Sequence, residues 1–459
     1  MSATAPFTLP RDAPASVADP GRRPWTRPET YWPALTAATE HLDPPYATLD
    51  LRALAHNAHD LLRRAGGVPV RVASKSLRVR SVIDAVLALP GYAGVLGYTL
   101  PEALWLASDT GTGDGEHRAI EDVVVGYPSV DRAALRRLAT DPALAARVTI
   151  MVDDVAQLDL VDSVLAPGER EEIRVCLELD ASWDVPGLAA ALGTVGRADL
   201  AHVGVLRSPV HTAARARTLA QLVADRPGFR LVGMMAYEAQ IAGLANATAG
   251  ARARSAVIRR LQAVSATELR GRRGEAVAAV REVADLAFVN AGGTGSLESS
   301  AADASVTELT AGSGLFGPHL FDNYAHFTPA PAVAFTLPVV RQPAPGVATL
   351  LGGGWVASGP PGPDRLPQVA WPTGTRYVGT EGAGEVQTPL RGAPQLRVGD
   401  RAWMRHTKSG EVCEHVDTLV VLDADGGDAP ASGGDGVGHD RLRVVGDVPT
   451  YRGHGKAFL

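Results

Sequence analysis

Cysteine, lysine and long apolar runs are nearly absent from this 459-residue sequence. Its two cysteines, Cys176 and Cys413, are too few for a disulfide framework and indicate a reducing, cytoplasmic location. No run of about 18 uninterrupted apolar residues occurs, so no membrane span is predicted. The net charge of -6 and the pI of about 6.1 provide no basic surface for nucleic acid. These absences leave a globular protein whose 46% hydrophobic content suffices for one large domain and a smaller one.

Lysine is the scarcest charged residue, because only three of the 44 Lys+Arg residues are lysines: Lys75, Lys408 and Lys456. Lys75 ends the apolar run Val68-Pro-Val-Arg-Val-Ala-Ser-Lys75, which predicts a buried strand. An arginine cannot form a Schiff base, whereas a lysine amine can once its surroundings lower its pKa. Lys75 is therefore either a surface lysine at a strand end or the attachment point of a covalent cofactor. The low lysine background favours the cofactor.

The chain divides into three regions that differ in composition and hydrophobic pattern. Residues 1–43 are rich in proline, alanine and threonine and lack an apolar h-region, which predicts a loosely ordered arm rather than a signal peptide. From 44 to 330, short β-branched runs alternate with amphipathic helical segments. From 331 to 459, short alternating strands lie among Gly/Pro turns, typical of a separate β domain. Strands are predicted there at Ala334–Val340, Val347–Leu350, Arg376–Val378, Leu419–Leu422 and Leu442–Val445.

The alternating region predicts an α/β fold, a (β/α)8 TIM-type barrel followed by the smaller C-terminal β domain. A doubly wound open sheet is the alternative. A barrel needs eight strands and nine candidates are present, so one of them lies outside the barrel. The candidates are Val68–Ala73, Gly94–Gly97, Val123–Gly126, Val148–Val152, Val175–Leu179, His202–Val205, Leu231–Met235, Phe288–Asn290 and Thr307–Leu309.

Glycine-rich turns follow the last two predicted barrel strands. Gly292-Gly-Thr-Gly295 follows one strand, and Gly312-Ser313 follows the next. Glycine lets backbone N–H groups approach an anion closely, and barrel phosphate sites are commonly built from the loops after strands seven and eight. Each turn alone is equally consistent with a tight loop. A lysine after the first strand and a phosphate site after the last two are what a barrel needs to hold pyridoxal phosphate.

With these motifs the sequence resembles the fold type III pyridoxal-phosphate enzymes, the alanine racemase-like barrels with a C-terminal β domain. Within them it is more similar to D-threonine aldolase, D-serine dehydratase and the bacterial amino acid deaminase/aldolase proteins than to alanine racemase. The carriers are Pro45–Asp50, the strand ending in Lys75, Gly233–Tyr237, the two glycine turns, Lys408–His415 and Val448–Lys456. The aldolases usually have Lys-Thr-His where this chain has Lys75-Ser76-Leu77.

The resemblance implies a lyase that cleaves, or dehydrates and deaminates, β-hydroxy amino acids of D configuration, such as threonine or serine, through a Schiff base on Lys75. It implies catalytic roles for Lys75 and Tyr237. It implies cofactor contacts for Lys75, Arg207, Tyr237, Gly293, Thr294, Gly295, Gly312 and Ser313. It also implies a homodimer in which the β domain of one subunit completes the site of the other. Arg207 is equally consistent with a surface arginine.

The related aldolases and dehydratases hold a divalent metal, and His415-Val-Asp417 has the matching His-x-Asp spacing. On a strand, both side chains would face the same way. A carboxylate ligand favours manganese or magnesium, whereas a ligand set with Cys413 favours zinc. The alternative is that these are ordinary polar residues at a domain interface.

Two other functions stay open. A pyridoxal-phosphate amino-acid racemase needs a second acid/base, for which Tyr377 and Tyr451 are candidates. A non-catalytic pyridoxal-phosphate carrier of this barrel type lacks a large C-terminal domain, which this chain has. In all three cases the expected partner is a small molecule, without nucleic acid or membrane.

Overall fold

The computed structural model describes residues 7–109, 117–185, 201–424 and 441–459. Its strands, in chain order, are β1 (Tyr46–Asp50), β2 (Val70–Ala73), β3 (Tyr92–Gly97), β4 (Val123–Val125), β5 (Val148–Val152), β6 (Ile173–Glu178), β7 (Trp183–Asp184), β8 (His202–Val203), β9 (Phe229–Ala236), β10 (Phe288–Ala291), β11 (Glu308–Ala311), β12 (Val333–Ala344), β13 (Val347–Leu351), β14 (Gln368–Trp371), β15 (Arg376–Tyr377), β16 (Gln387–Arg391), β17 (Arg401–Arg405), β18 (Thr418–Ala424) and β19 (Leu442–Pro449).

The α-helices in the same ranges are α1 (Ala15–Ala18), α2 (Pro28–Ala38), α3 (Leu51–Ala65), α4 (Arg80–Leu87), α5 (Leu100–Leu106), α6 (Arg132–Thr140), α7 (Pro142–Arg147), α8 (Val155–Val164), α9 (Ala213–Ala224), α10 (Ala239–Ala242), α11 (Arg252–Arg281), α12 (Leu297–Ala301) and α13 (Ser313–Phe316). Short 3-10 helices include Ser74–Ser76 and Glu411–Glu414. Across the described part of the chain, no helix has both the length and the apolar character needed to cross a membrane.

Eight parallel strands form a closed barrel in the order β10-β11-β2-β3-β4-β5-β6-β9. This confirms the predicted (β/α)8 barrel and excludes the doubly wound open sheet. Of the nine candidate strands, His202–Val205 is the one outside the barrel, because within the described part of the chain β8 pairs with β7 in a separate two-stranded sheet. The strands are β-branched and buried on both sides, as expected where helices cover a parallel sheet.

Acidic and threonine side chains start the helices that follow the strands. Asp50 accepts hydrogen bonds from the backbone N–H groups of Arg52 and Ala53 at the start of α3. Thr99 caps α5 in the same way, and Asp154 forms a capping box with Gln157 at the start of α8. Each cap satisfies N–H groups that have no partner inside the helix, so the chain changes from strand to helix at a defined residue.

The second sheet is built mainly from the C-terminal region, in the order β15-β16-β13-β12-β1-β18-β19, with β17 joining β12 and β14. All five strands predicted after residue 331 are present. Strand β1 falls in the range predicted for the barrel, but it pairs antiparallel with β12 and parallel with β18. The chain therefore contributes a strand to the second sheet before it enters the barrel.

The prediction of a loosely ordered N-terminal arm is wrong for residues 7–43. Helix α2 packs its Trp32 and Leu35 side chains against Trp403 and Leu422 of the second sheet. The indole N–H of Trp403 donates to Thr36 Oγ1 at 2.9 Å. The aromatic residues of this proline-rich segment bury enough apolar surface to order it.

Candidate active site

A cavity of about 630 Å³ lies at the C-terminal ends of the barrel strands, between the barrel and the second sheet. The barrel contributes residues that follow six of its strands: Lys75, Ser76 and Arg78 after β2, Gly126 and Tyr127 after β4, Glu178 at the end of β6, Tyr237 after β9, Gly292–Gly295 after β10, and Gly312 and Ser313 after β11. The opposite wall comes from the β domain and includes Ser358, Arg365, Thr407, Lys408, Ser409 and Glu411. One cavity therefore brings together Lys75, Tyr237, Arg207 and both glycine turns, which the sequence analysis selected separately.

Lys75 is the central residue of a 3-10 turn that continues directly from β2. Its side chain is exposed to the cavity, and its Nζ donates a hydrogen bond to the hydroxyl of Tyr127 at 2.6 Å. The sequence alone does not indicate this contact, because Lys75 and Tyr127 are 52 positions apart. The pair joins an amine to a phenol that can donate or accept a proton.

Arg78, three residues after Lys75, has φ of 55°, unusual for a bulky residue. Its guanidinium donates to the backbone carbonyl of Lys75 at 3.2 Å and to Glu414 of the β domain at 2.5 Å. Its own carbonyl accepts from the Tyr451 N–H at 2.7 Å. These contacts hold the chain after Lys75 in a conformation that costs about 1 kcal/mol or more by itself.

Tyr237 lies against the first glycine turn. A Cβ atom on Gly293 would lie 3.0 Å from Cε2 of Tyr237, so glycine permits this close packing. Burial raises the pKa of Tyr237 to about 12, which keeps the phenol neutral at physiological pH. The exposed Arg207 places its guanidinium carbon 5.9 Å from the Tyr237 ring centroid.

The first glycine turn is held by a buried carboxylate that the sequence analysis did not select. Glu238 is 1% exposed and accepts a hydrogen bond from the Gly292 N–H at 3.2 Å and another from the hydroxyl of Ser300. Arg273 lies 3.6 Å from the same carboxylate. Glu238 follows Tyr237 directly, but only the fold reveals that it points away from the cavity and under the turn.

The two glycine turns contact each other and the turn of Lys75. The Gly314 N–H donates to Thr294 Oγ1 at 3.1 Å, and the hydroxyls of Ser313 and Ser76 are 3.2 Å apart. A Cβ on Gly312 would lie 2.5 Å from the carbonyl oxygen of Ala73. The glycines thus allow three loops to close around one end of the cavity, with backbone facing the space, as an anion site requires.

The β domain covers this end of the cavity with the loop 406–411. Gly410 has φ of +83°, and a Cβ there would lie 2.1 Å from the carbonyl oxygen of Lys75. The Ser409 hydroxyl donates to the carbonyl of Ser313 at 2.8 Å. The loop therefore rests directly on the lysine turn and on the second glycine turn.

Glu178, which was not predicted as a site residue, faces the cavity from the end of β6. Burial, with a further contribution from Asp153, raises the pKa of Glu178 to about 7. A carboxyl with this pKa is present in both protonation states near neutral pH, which suits a proton donor or acceptor.

His415 and Asp417 do not lie on the strand that the sequence predicts for them. The strand expected to carry both begins only at Thr418, and His415 instead ends the 3-10 helix Glu411–Glu414. Its ring stacks on Trp355 with centroids 4.8 Å apart, while Asp417 pairs with Arg452 at 2.9 Å. Among the residues in the described ranges, no group of three or more His, Cys, Asp or Glu side chains could hold a metal ion.

The two tyrosines considered as racemase acids lie elsewhere in this chain. The Tyr451 hydroxyl donates to the buried Glu102 at 2.9 Å, and the Tyr377 hydroxyl donates to the carbonyl of Pro367 at 2.7 Å. Neither side chain lines the cavity around Lys75.

No protein-family model matches the chain, and no curated protein matches it either. Solved structures do match over most of the chain. D-threonine aldolase from Filomicrobium marinum superposes with a TM-score of 0.67 at 20% identity, covering 90% of this chain and 95% of that one. This is the alanine racemase-like fold, the fold type III barrel.

Two further structures agree with this fold. D-threo-3-hydroxyaspartate dehydratase from Delftia sp. HT23 gives a TM-score of 0.61 at 19% identity, covering 84% of this chain and 96% of that chain. An alanine racemase-like protein from Idiomarina loihiensis gives 0.60 at 15% identity, covering 86% and 96%. A variant of the dehydratase has been solved in a metal-free form.

Proposed function

We propose that this protein is a pyridoxal-phosphate-dependent lyase that acts on β-hydroxy amino acids, of D configuration, by aldol cleavage or by dehydration and deamination. The observation that carries the proposal is the position of Lys75, in a cavity that also contains two glycine turns and a partner phenol at 2.6 Å. The aldolase and dehydratase with the same fold, both named for D-amino-acid substrates, support the reaction class.

The residues of the cavity fit the cofactor. The backbone of Gly293, Thr294, Gly295, Gly312 and Ser313 would hold its phosphate, and the three glycines let these turns pack closely, because a Cβ atom on any of them would collide with neighbouring protein atoms. Lys75 would hold its aldehyde carbon covalently, and Tyr237 would lie against its ring, with Arg207 beside Tyr237. When bound, the cofactor supplies an electron sink that stabilises negative charge at the substrate α-carbon.

The residues of the chain would then move the protons. In dehydration, Lys75 would remove the α-proton, and the Lys75–Tyr127 pair would give a proton to the β-hydroxyl, which leaves as water; addition of water to the product then gives a keto acid and ammonia. In aldol cleavage, the β-hydroxyl would pass its proton to the Lys75–Tyr127 pair, the Cα–Cβ bond would break to release an aldehyde, and Lys75 would give a proton to the α-carbon. The Tyr127 hydroxyl at 2.6 Å exchanges protons with Lys75, and Glu178 is a second proton reservoir at the cavity wall.

The resemblance also implies a divalent metal held by His415 and Asp417, and this metal site stays a prediction. In this structure the His415 ring stacks on Trp355, and Asp417 pairs with Arg452. Further parts of the proposal are a cytoplasmic location, supported by two buried free cysteines, and a homodimer in which the β domain completes the partner's cavity. Light scattering of the purified protein tests the dimer.

Product analysis tests the proposed reaction. The purified protein, loaded with pyridoxal phosphate, is incubated with D- and L-threonine and with D- and L-serine. We expect glycine plus aldehyde, or a keto acid plus ammonia, from the D isomers. Interconversion of isomers without these products would identify a racemase, and bound cofactor with no turnover of any isomer would indicate a non-catalytic carrier.

A further inference from the structure

The β-domain wall of the cavity contains a lysine ammonium with no carboxylate partner in the described ranges. Lys408 Nζ donates to the carbonyl oxygen of Ser358 at 2.7 Å and to its hydroxyl oxygen at 3.3 Å. Ser358 is itself fixed by Glu411, which accepts from its N–H at 3.0 Å and from its hydroxyl. An ammonium has three donors, so two neutral acceptors leave one donor directed elsewhere.

The other cationic side chains of the cavity have different partners or surroundings. Arg78 pairs with Glu414 at 2.5 Å, and Arg365 pairs with Asp364 at 3.6 Å. Lys75 donates to Tyr127, and Arg207 is exposed to solvent beside the Tyr237 ring. Lys408 alone among these five combines partial burial, a fixed position and a neutral hydrogen-bonding environment.

Lys408 is also close to the reacting end of the cavity. It is two residues from Gly410, whose backbone rests on the carbonyl of Lys75. Burial lowers the pKa of Lys408; the charge of Glu411 opposes this shift, and the charges of Arg365 and Lys75 add to it. Two cations facing one cavity repel each other, and a bound anion between them stabilises both.

We propose that Lys408 binds the α-carboxylate of the amino-acid substrate. This role rests on the proposed function, because it assumes an amino acid whose α-nitrogen reacts at the Lys75 end of the cavity. The α-carboxylate is separated from that nitrogen by only one carbon atom, so its binding group must be near Lys75. Lys408 would thus supply a fixed positive charge on this wall of the cavity.

The test compares two ligands that differ only in the carboxylate. D-alanine and ethylamine both react with the bound cofactor and lack a β-hydroxyl, so neither is cleaved or dehydrated. Their dissociation constants are measured from the change in cofactor absorbance for the wild-type holoenzyme, Lys408→Met and Lys408→Arg. Lys456→Met is the matched control, since Lys456 is the remaining lysine and does not line this cavity.

We expect Lys408→Met to weaken D-alanine binding by about tenfold or more, the usual size of a lost charge-assisted hydrogen bond. Ethylamine binding should stay within about twofold, Lys408→Arg should restore part of the affinity for D-alanine, and Lys456→Met should match the wild type. Equal losses for both ligands, or no loss for D-alanine, would overturn the assignment. So would a loss of cofactor affinity in Lys408→Met, which would mean that Lys408 binds the cofactor phosphate.

The absorbance measurements with cofactor and ligands also distinguish a failure of the role proposed for Lys408 from a failure of the proposed function. A wild-type protein that gains no cofactor absorbance with pyridoxal phosphate would overturn both. A wild-type protein that binds the cofactor and cleaves D-threonine or dehydrates D-serine, with unchanged D-alanine binding in Lys408→Met, would overturn the role of Lys408 alone.

Discussion

The two walls of the cavity are built in different ways. The barrel wall carries side chains such as Lys75, Tyr127 and Tyr237, but at the turns of Gly293, Gly295 and Gly312 it presents backbone, because a Cβ atom there would collide with neighbouring atoms. The β-domain wall presents polar side chains on the loop 406–411, above all Lys408. A surface of backbone N–H groups suits a group with a constant shape and charge, such as a phosphate. A surface of loop side chains can differ in sequence between proteins that bind different substrates. Under the proposed function, the barrel wall would hold the cofactor and the β-domain wall would contact the substrate.

The largest loss of stability is expected where the β-domain loop 406–411 contacts the turn of Lys75. In Gly410→Ala, the new methyl group meets the Lys75 carbonyl at 2.1 Å, and alanine also disfavours φ of +83°. Together these costs should destabilise the protein, or detach the loop, by about 4 kcal/mol. Urea unfolding measures the change in the free energy of unfolding. The rate of substrate turnover shows whether displacement of the loop also disturbs the proposed catalytic lysine, Lys75.

Gly399→Ala is the matched control, because Gly399 has φ of +94° but no atom within 4 Å of its new methyl group. Gly399→Ala should lower the free energy of unfolding only by the cost of placing alanine at this φ, about 1 kcal/mol, and should retain activity. Equal effects of the two substitutions would mean that the loop does not rest on the Lys75 turn.

A buried carboxyl that links the two domains should make stability depend on pH. Glu102 accepts hydrogen bonds from the Tyr98 N–H of the barrel at 2.7 Å and from the Tyr451 hydroxyl of the β domain at 2.9 Å. Burial raises the pKa of Glu102 from 4.5 to about 7. The folded state therefore binds more protons than the unfolded state between these values, so the free energy of unfolding falls as pH rises through this window.

The loss attributable to Glu102 should approach about 3 kcal/mol above pH 7. Glu102→Gln removes the titration, so its stability should vary less between pH 4.5 and 7.5 than that of the wild type. Urea unfolding at several pH values measures both curves. Parallel curves would contradict the raised pKa of this carboxyl.

A smaller loss of stability, together with weaker cofactor binding, is expected from a substitution in the first glycine turn of the barrel wall. In Gly295→Ala, the methyl group would lie 2.3 Å from the carbonyl oxygen of Ala242 and 2.9 Å from Tyr324. The overpacking should cost about 2 kcal/mol and weaken binding of pyridoxal phosphate, because the turn must move. Fluorescence titration of the cofactor and urea unfolding measure the two effects.

Gly271→Ala is the control for this change, since Gly271 lies exposed inside helix α11 with no atom within 4 Å of the added methyl group. It should stabilise the protein by about 0.5 to 1 kcal/mol and leave cofactor affinity unchanged. Unchanged cofactor affinity in Gly295→Ala would show that this turn does not hold the phosphate.

The barrel wall could be predicted from the sequence, because its information is local. Five barrel strands are short runs followed within a few residues by a lysine, tyrosine or glycine that lines the cavity: Lys75 after β2, Tyr127 after β4, Tyr237 after β9, and the glycine turns after β10 and β11. The eight strands and the meeting of Lys75 with Tyr237 and the glycine turns followed from the strand order of a closed barrel. The one excess strand, His202–Val205, has the same local pattern and differs only in its partner.

The β-domain wall could not be predicted in the same way, because its contacts are distant in sequence. Strand β1 pairs with residues near 335 and 420, so its pattern alone assigns it to no particular sheet. The His-x-Asp spacing of His415 and Asp417 has its expected geometry only on a strand, and the chain forms a 3-10 turn there instead. Likewise, the contacts of Tyr127 with Lys75 and of Lys408 with Ser358 join positions about 50 residues apart.

Borohydride reduction shows whether Lys75 attaches pyridoxal phosphate covalently. Wild type and Lys75→Ala are each incubated with the cofactor, reduced and digested, and the mass of the peptide spanning residue 75 is measured by mass spectrometry. We expect a cofactor adduct on the wild-type peptide at Lys75 and none on the corresponding peptide of Lys75→Ala. A wild-type peptide without the adduct, or an adduct located at Lys408 or Lys456 instead, would contradict covalent attachment at Lys75.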